Sequence, residues 1–310
     1  MPKLFFFLSA LVISTSASAQ QMETVYLNAA DTTVNKYIVV KPQEGAIKGV
    51  LFLLDGLGGS PQNVLMQSAI PTYAAQQGLL TIIPMLQTGK SYFGSDLGSQ
   101  KSLKTIVEGA VAKYKLTGKN CYFGGFSIGG TCVVKYAQLA KTENYPVQPK
   151  AVFAIDPPLD WERFYNGAVR TKAFTAPENL NGEVPFMIAR IEAEMGGTPE
   201  KARSAFYRLS PYSFSDTTRT AAKTLLDMPL MLLSEPDIAW WMSQRGYDYS
   251  YLNITDGAAL IADLHRLGNE KAMLVTTTDK GFREPQHFQH PHSWSIADAA
   301  QTVKWLLATE

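Results

Sequence analysis

Ser127 stands at the centre of Gly124-Gly125-Phe126-Ser127-Ile128-Gly129-Gly130, a Gly-x-Ser-x-Gly pattern between an apolar β-type run, 120–124, and a helical pattern, 128–141. Glycines two positions either side of a serine suit a sharp strand-to-helix turn, because strand and helix close on each other there. Such a turn exposes Ser127 at the carboxyl end of a sheet. A serine hydroxyl is a poor nucleophile at neutral pH unless a base takes its proton, so a histidine must reach it. The chain has 4 His. His265 lies in the helical stretch 263–267 and reads as a surface residue. The other three fall in His287-Phe288-Gln289-His290-Pro291-His292-Ser293-Trp294, after the last strand pattern and before the last helix pattern. His292 is the expected base, since Ser293 is a good N-cap and fixes His292 just outside a helix. His290, held extended by Pro291, is the second choice.

A carboxylate should fix the imidazole tautomer and stabilise the imidazolium. Ser234-Glu235-Pro236-Asp237 follows the penultimate strand pattern, 228–233, and Asp237 is the expected acid. Glu235 is its nearest rival, followed by Asp156 or Asp160 after the preceding strand. Two backbone donors should hold the developing oxyanion. Ile128 N–H, next to the nucleophile, is one. Leu57 N–H in the turn Leu54-Asp55-Gly56-Leu57-Gly58-Gly59 is the other, with Gly56 as the alternative. His287, His290 and His292 also pose a metal-site reading, as His-rich tracts do. Three donors this close along a loop match no familiar zinc spacing, and a metal would leave Ser127 unexplained, so neither metal nor cofactor is expected.

The elements that must position these residues alternate. Strand patterns occur at 24–28, 36–40, 49–54, 79–84, 120–124, 151–155, 228–233 and 271–276, and most of the later ones are separated by helical patterns at 61–77, 101–114, 128–141, 257–267 and 296–308. This order predicts a mainly parallel sheet covered by helices on both faces. About seventy residues, 157–227, separate the sixth and seventh strands, far more than a crossover helix needs. Trp161, Phe164, Tyr165, Phe174, Phe206, Tyr207, Tyr212 and Phe214 within this insertion either roof a pocket or anchor the insertion to the sheet.

The 310 residues are 46% hydrophobic and 18% charged, with a net charge of +1. That balance excludes an electrostatic grip on nucleic acid or on an anionic membrane surface. Lys3, the apolar run 4–13 and Ala17-Ser18-Ala19 read as a secretory signal peptide cut after Ala19, leaving 20–310 as one domain. The apolar run is about half of the ~20 residues a membrane-spanning helix needs, so no membrane anchor is expected and the mature protein is expected to be secreted or periplasmic. Cys121 and Cys132 are expected as two buried free thiols, one in a strand and one in a helix.

From about Gly49 onward the chain resembles the α/β-hydrolase superfamily, with Ser127, Asp237 and His292 in its order of nucleophile, acid and histidine. Tyr92-Phe93-Gly94-Ser95-Asp96 and His292-Ser293-Trp294 are similar to secreted carbohydrate esterases and to S-formylglutathione-hydrolase-like esterases. The resemblance implies the α/β-hydrolase fold, an eight-stranded sheet with a cap-like insertion after strand six. It also implies a serine hydrolase that cleaves a small-molecule or carbohydrate-linked carboxylic ester through an acyl-enzyme. The same constellation serves peptidases and acyltransferases, and a non-catalytic ligand-binding protein on this fold is the contrasting reading. One departure is Asp55, which precedes Gly56 where many lipases and esterases carry His.

Overall fold

The structure, a computed structural model, describes residues 21–42 and 44–309, so the signal peptide read over 1–19 lies outside the described residues. Its central strands are buried along their whole length, as in Gly49–Leu54 and Leu79–Met85. A strand covered on both faces has no polar side to present, which is why these runs are continuously apolar rather than alternating. The strands are β1 (Met22–Tyr26), β2 (Lys36–Val40), β3 (Gly49–Leu54), β4 (Leu79–Met85), β5 (Asn120–Phe126), β6 (Ala151–Ile155), β7 (Leu230–Ser234) and β8 (Ala272–Thr276). They form one sheet in the order β1-β2-β4-β3-β5-β6-β7-β8. The β1–β2 and β2–β4 pairs are antiparallel and the others parallel. A small antiparallel pair, β9 (Phe282–Arg283) and β10 (Phe288–Gln289), stands apart from it.

The helices are α1 (Pro61–Gln67), α2 (Ile70–Gln76), α3 (Leu97–Lys113), α4 (Ile128–Thr142), α5 (Trp161–Phe174), α6 (Glu183–Met195), α7 (Pro199–Leu209), α8 (Thr220–Lys223), α9 (Ile238–Arg245), α10 (Ile254–Arg266) and α11 (Ala299–Ala308). The single helix expected over 61–77 is two. Pro71 lies in the first turn of α2, where its missing N–H is an orphan anyway; inside a continuous helix its ring would strike the preceding turn. Alternate residues of β3 feed two cores. Val50, Phe52 and Leu54 pack with buried residues of α3, α4 and α10, while Leu51 and Leu53 pack with those of α1, α2 and α11.

Helices α5 to α8 form the insertion between β6 and β7, and they are bound down rather than free-standing. Trp161 Nε1 donates to Ser95 Oγ at 2.8 Å, Tyr212 OH to Asp263 at 3.0 Å, and Lys135 Nζ of α4 to the Arg208 carbonyl at 2.6 Å. Trp161, Tyr165, Phe206 and Tyr212 are buried as anchors, whereas Phe174 and Phe214 face solvent. Cys121 and Cys132 are buried and unpaired with each other. Among the described residues no helix is long and apolar enough to cross a membrane.

Candidate active site

Strand β5 ends at Phe126 and α4 begins at Ile128, so Ser127 alone makes the turn. Its backbone has φ 54° and ψ −126°, a strained conformation for a residue with a Cβ. The turn is held by Ser127 N–H donating to the Ile155 carbonyl at 2.8 Å. A Cβ on Gly125 would lie 2.3 Å from the Gly129 carbonyl, and one on Gly129 would lie 2.3 Å from the Leu54 carbonyl. Both positions therefore have to be glycine, as the spacing required. Ile128 is the first residue of α4, where N–H groups lack intrahelical partners and the helix dipole favours negative charge.

The opposing turn, residues 55–59, passes against Ser127, since a Cβ on Gly56 would sit 3.1 Å from that of Ser127. Asp55 organises this turn. Its carboxylate accepts from Ser60 N–H at 3.0 Å, Asn63 Nδ2 at 2.7 Å and Trp294 Nε1 at 2.8 Å, while Tyr92 OH donates to its carbonyl. The aspartate that departs from the usual histidine thus ties this turn to the residue two beyond His292. Gly58 N–H is taken by the Lys90 carbonyl and Gly59 N–H by that of Gly56. Leu57 lines the cavity together with Ser127 and Ile128.

His292 lies in the segment between β10 and α11. Its Nδ1 is 2.6 Å from Asp156 Oδ2, and its ring is 4.5 Å from that of Phe126, the residue before Ser127. A carboxylate on Nδ1 holds the proton there and leaves Nε2 as the acceptor. The backbone is fixed too: Arg283 donates from Nε and Nη2 to the His292 carbonyl at 3.2 and 2.8 Å, and His292 N–H donates to His290 Nδ1 at 3.2 Å. His290 is buried against Trp240 and Trp241. Burial, reinforced by the charge of Arg283, pushes its pKa down to about 2, so it is a neutral imidazole. His287 is exposed and pairs with Glu284, and His265 bonds the Ala272 carbonyl, so neither shares the site.

The expected acid, Asp237, is corrected by this geometry. Its carboxylate caps α9, accepting from Trp240 N–H at 2.9 Å, and does not meet His292. The physical reason is strand order. β6 lies directly beside β5, so the residue after β6 emerges next to the turn at Ser127, whereas the chain after β7 turns into α9. Asp156 is that residue. Its left-handed backbone, φ 46°, aims the carboxylate back over the sheet, and Ser234 Oγ, at the end of β7, donates to its free oxygen Oδ1 at 2.6 Å. Glu235, the other rival, is buried and braces the loop leading to the histidine. It accepts from Thr277 Oγ1 at 2.9 Å, Lys280 N–H at 2.9 Å and Gly281 N–H at 3.0 Å, and the Gly281 carbonyl accepts from His290 N–H. Asp160 caps α5; burial, and then Asp256, raise its pKa to about 6.

Ser127 and His292 lie at the junction of two cavities. A small one of about 140 Å³ runs beneath α6 and α9, and an open groove of about 610 Å³ runs along the 56–60 turn towards Phe288. Of the insertion aromatics named above, Phe164 alone lines the small cavity. Its remaining aromatic wall is Trp241, Tyr247 and Tyr251, from the segment between β7 and α10, which sequence reasoning missed along with Arg245 and Arg283. The signal available for Asp156 was its position directly after the Ala151–Ile155 strand.

No protein-family model and no curated protein matches the chain. Solved structures do. An S-formylglutathione hydrolase from Agrobacterium tumefaciens superposes over 96% of this chain and 98% of its own, with 13% identity and a TM-score of 0.57. Carboxyl esterase 2 from the fungus Tuber melanosporum covers 96% and 87%, with 15% identity and a TM-score of 0.58. An esterase from the archaeon Pyrobaculum calidifontis covers 94% and 87%, with 15% identity and a TM-score of 0.59. With the strand order and the sharp turn at Ser127, these likenesses define an α/β-hydrolase fold.

Proposed function

We propose that the protein is a serine hydrolase that cleaves carboxylic esters through an acyl-enzyme, with Ser127 as nucleophile, His292 as base and Asp156 as the acid. The observation that carries this reading is the 2.6 Å contact between Asp156 and His292 Nδ1 beside a strained serine lining the same cavity. Ser127 Oγ attacks the ester carbonyl carbon as its proton passes to His292 Nε2. The imidazolium so formed is stabilised by the carboxylate of Asp156. The N–H groups of Ile128 and Leu57 receive the carbonyl oxygen as it becomes an oxyanion. Collapse of the tetrahedral adduct expels the alcohol oxygen, which takes the proton from Nε2. Water then gives a proton to Nε2 as its oxygen attacks the acyl carbon, and collapse returns that proton to Ser127 and frees the acid. Each step uses groups of this chain. The substrate is a small-molecule or carbohydrate-linked ester, and the leader read over 1–19 supports a reaction outside the cytoplasm, in the periplasm or the medium.

The test is intact-mass analysis after a fluorophosphonate probe. Wild type should gain one probe mass, Ser127→Ala and His292→Ala none, and hydrolysis of short-chain 4-nitrophenyl esters should vanish with the labelling. Ser127→Ala protein that is labelled and turns over like wild type would remove Ser127 from the mechanism.

A further inference from the structure

The small cavity beside Ser127 has a cationic wall. Arg245, in the last turn of α9, and Arg283, in β9, both line it. Among the described residues neither guanidinium has a carboxylate within 4.0 Å. Arg283 instead donates to a neutral group, the His292 carbonyl. The two cations are close enough to oppose each other: burial, and next Arg245, pull the pKa of Arg283 down, with a smaller opposite influence from Glu183. A third donor faces the same space. Because His290 Nδ1 accepts from His292 N–H, its neutral ring carries the proton on Nε2, and the residue lines the cavity.

Of the three acidic residues lining this cavity, two are engaged elsewhere. Asp156 is held by His292 and Ser234, and Glu235 by Thr277, Lys280 and Gly281. The third, Glu183, also lines the cavity but is exposed in the first turn of α6, where water screens its charge and the helix dipole favours it. Two like charges facing a partly desolvated cavity are unfavourable without an anion. One oxyanion between them would make charge-assisted hydrogen bonds, and the planar guanidinium fork is well matched to a carboxylate.

We infer that this cavity binds an anionic group of the substrate, so that the ester, on the hydrolase reading above, carries a carboxylate or similar oxyanion near its scissile carbonyl. Its volume of about 140 Å³ favours a short chain between the two groups. Arg245 and Arg283 supply the charge and His290 a neutral donor.

The test compares charged esters with neutral isosteres. For an anion on the acyl side, 4-nitrophenyl hydrogen glutarate is set against its methyl ester; for an anion on the alcohol side, 4-acetoxybenzoate is set against methyl 4-acetoxybenzoate. Wild type should favour the anion in one pair by roughly tenfold or more in kcat/KM at low salt. The ratio should collapse in Arg245→Gln and fall below one in Arg245→Glu. No preference in either pair, or one that survives Arg245→Glu, overturns the inference. Failure of the ester reading would show differently, as no turnover of any ester. The subsite is then decided by calorimetric titration of Ser127→Ala protein with glutarate and with glutaramide. Glutarate binding lost on adding Arg245→Glu supports it, and equal behaviour of the two ligands overturns it.

Discussion

Replacing Asp156 by Asn exchanges one carboxylate oxygen for an NH₂ group and should disable the site, because the structure dictates which way the amide must face. Ser234 Oγ donates to Oδ1 at 2.6 Å, so the amide oxygen stays there and its NH₂ turns to His292 Nδ1. That nitrogen must then accept, its proton moves to Nε2, and the imidazole can no longer take the proton of Ser127. The expected loss in kcat is on the order of 10²–10⁴, or roughly 3–5 kcal/mol of transition-state stabilisation. Asp237→Asn is the control. It keeps a good N-cap for α9, so kcat should stay within about twofold, and Asp237→Ala should lose only about 1 kcal/mol of stability. Steady-state hydrolysis of 4-nitrophenyl acetate, with thermal melts to confirm folding, reads all three. If Asp156→Asn kept wild-type kcat while Asp237→Asn lost it, the acid would be Asp237 and the contact between Asp156 and His292 would not serve the reaction.

His290 links stability to pH. Its folded pKa, about 2, lies below the 6.5 of an ordinary imidazole, so the unfolded chain binds a proton between those values that the folded one refuses. The contribution is complete above pH 6.5 and is lost as pH falls, about 2 kcal/mol by pH 5, and His290→Gln should flatten that limb in urea titrations at the two pH values. An identical acid limb in mutant and wild type would contradict the burial argument. Asp55→Ala strips acceptors from Ser60, Asn63 and Trp294 and should cost about 2–4 kcal/mol on chemical denaturation while lowering kcat. Asp55→Asn, which can still accept, should be milder, and equal effects would deny the carboxylate its tying role. Glu235→Ala releases Lys280 and Gly281 N–H groups and should cut kcat roughly tenfold by loosening the His292 loop, with fluorophosphonate labelling slowed in proportion. Loss of stability with unchanged labelling would make Glu235 structural only.

Much was legible because it is local. The turn at Ser127 depends on residues within two positions of it, and Gly125 and Gly129 meet backbone so closely that no other residue fits. The central strands are readable because a sheet covered on both faces needs unbroken apolar runs; 36–40, 49–54 and 151–155 have the expected ends and the other five strands differ by no more than two residues. His292 was reachable by elimination among few histidines. The division of the aromatic residues was not, since a Phe or Trp in an insertion packs against whichever helix lies below it. Trp161 stacks on Phe93 and bonds Ser95, so it fastens the insertion to the Tyr92–Asp96 motif, while Phe164 of the same helix lines the cavity.

Which carboxylate meets His292 was decided by the tertiary structure. Asp156, Glu235 and Asp237 are all carboxylates at or just beyond strand ends, and linear order favours the one after the seventh strand. Sheet order places the end of β6 beside β5, the left-handed turn at Asp156 points its carboxylate inward, and Asp237 is consumed by a helix cap. The cationic cavity wall has the same origin: Arg245 and Arg283 are separated along the chain and share a wall only because α9 and β9 border the same cavity. Spacing along a chain specifies conformations a few residues long. Which charged groups share a cavity depends on how distant elements pack, and that is decided by the burial of the whole sheet.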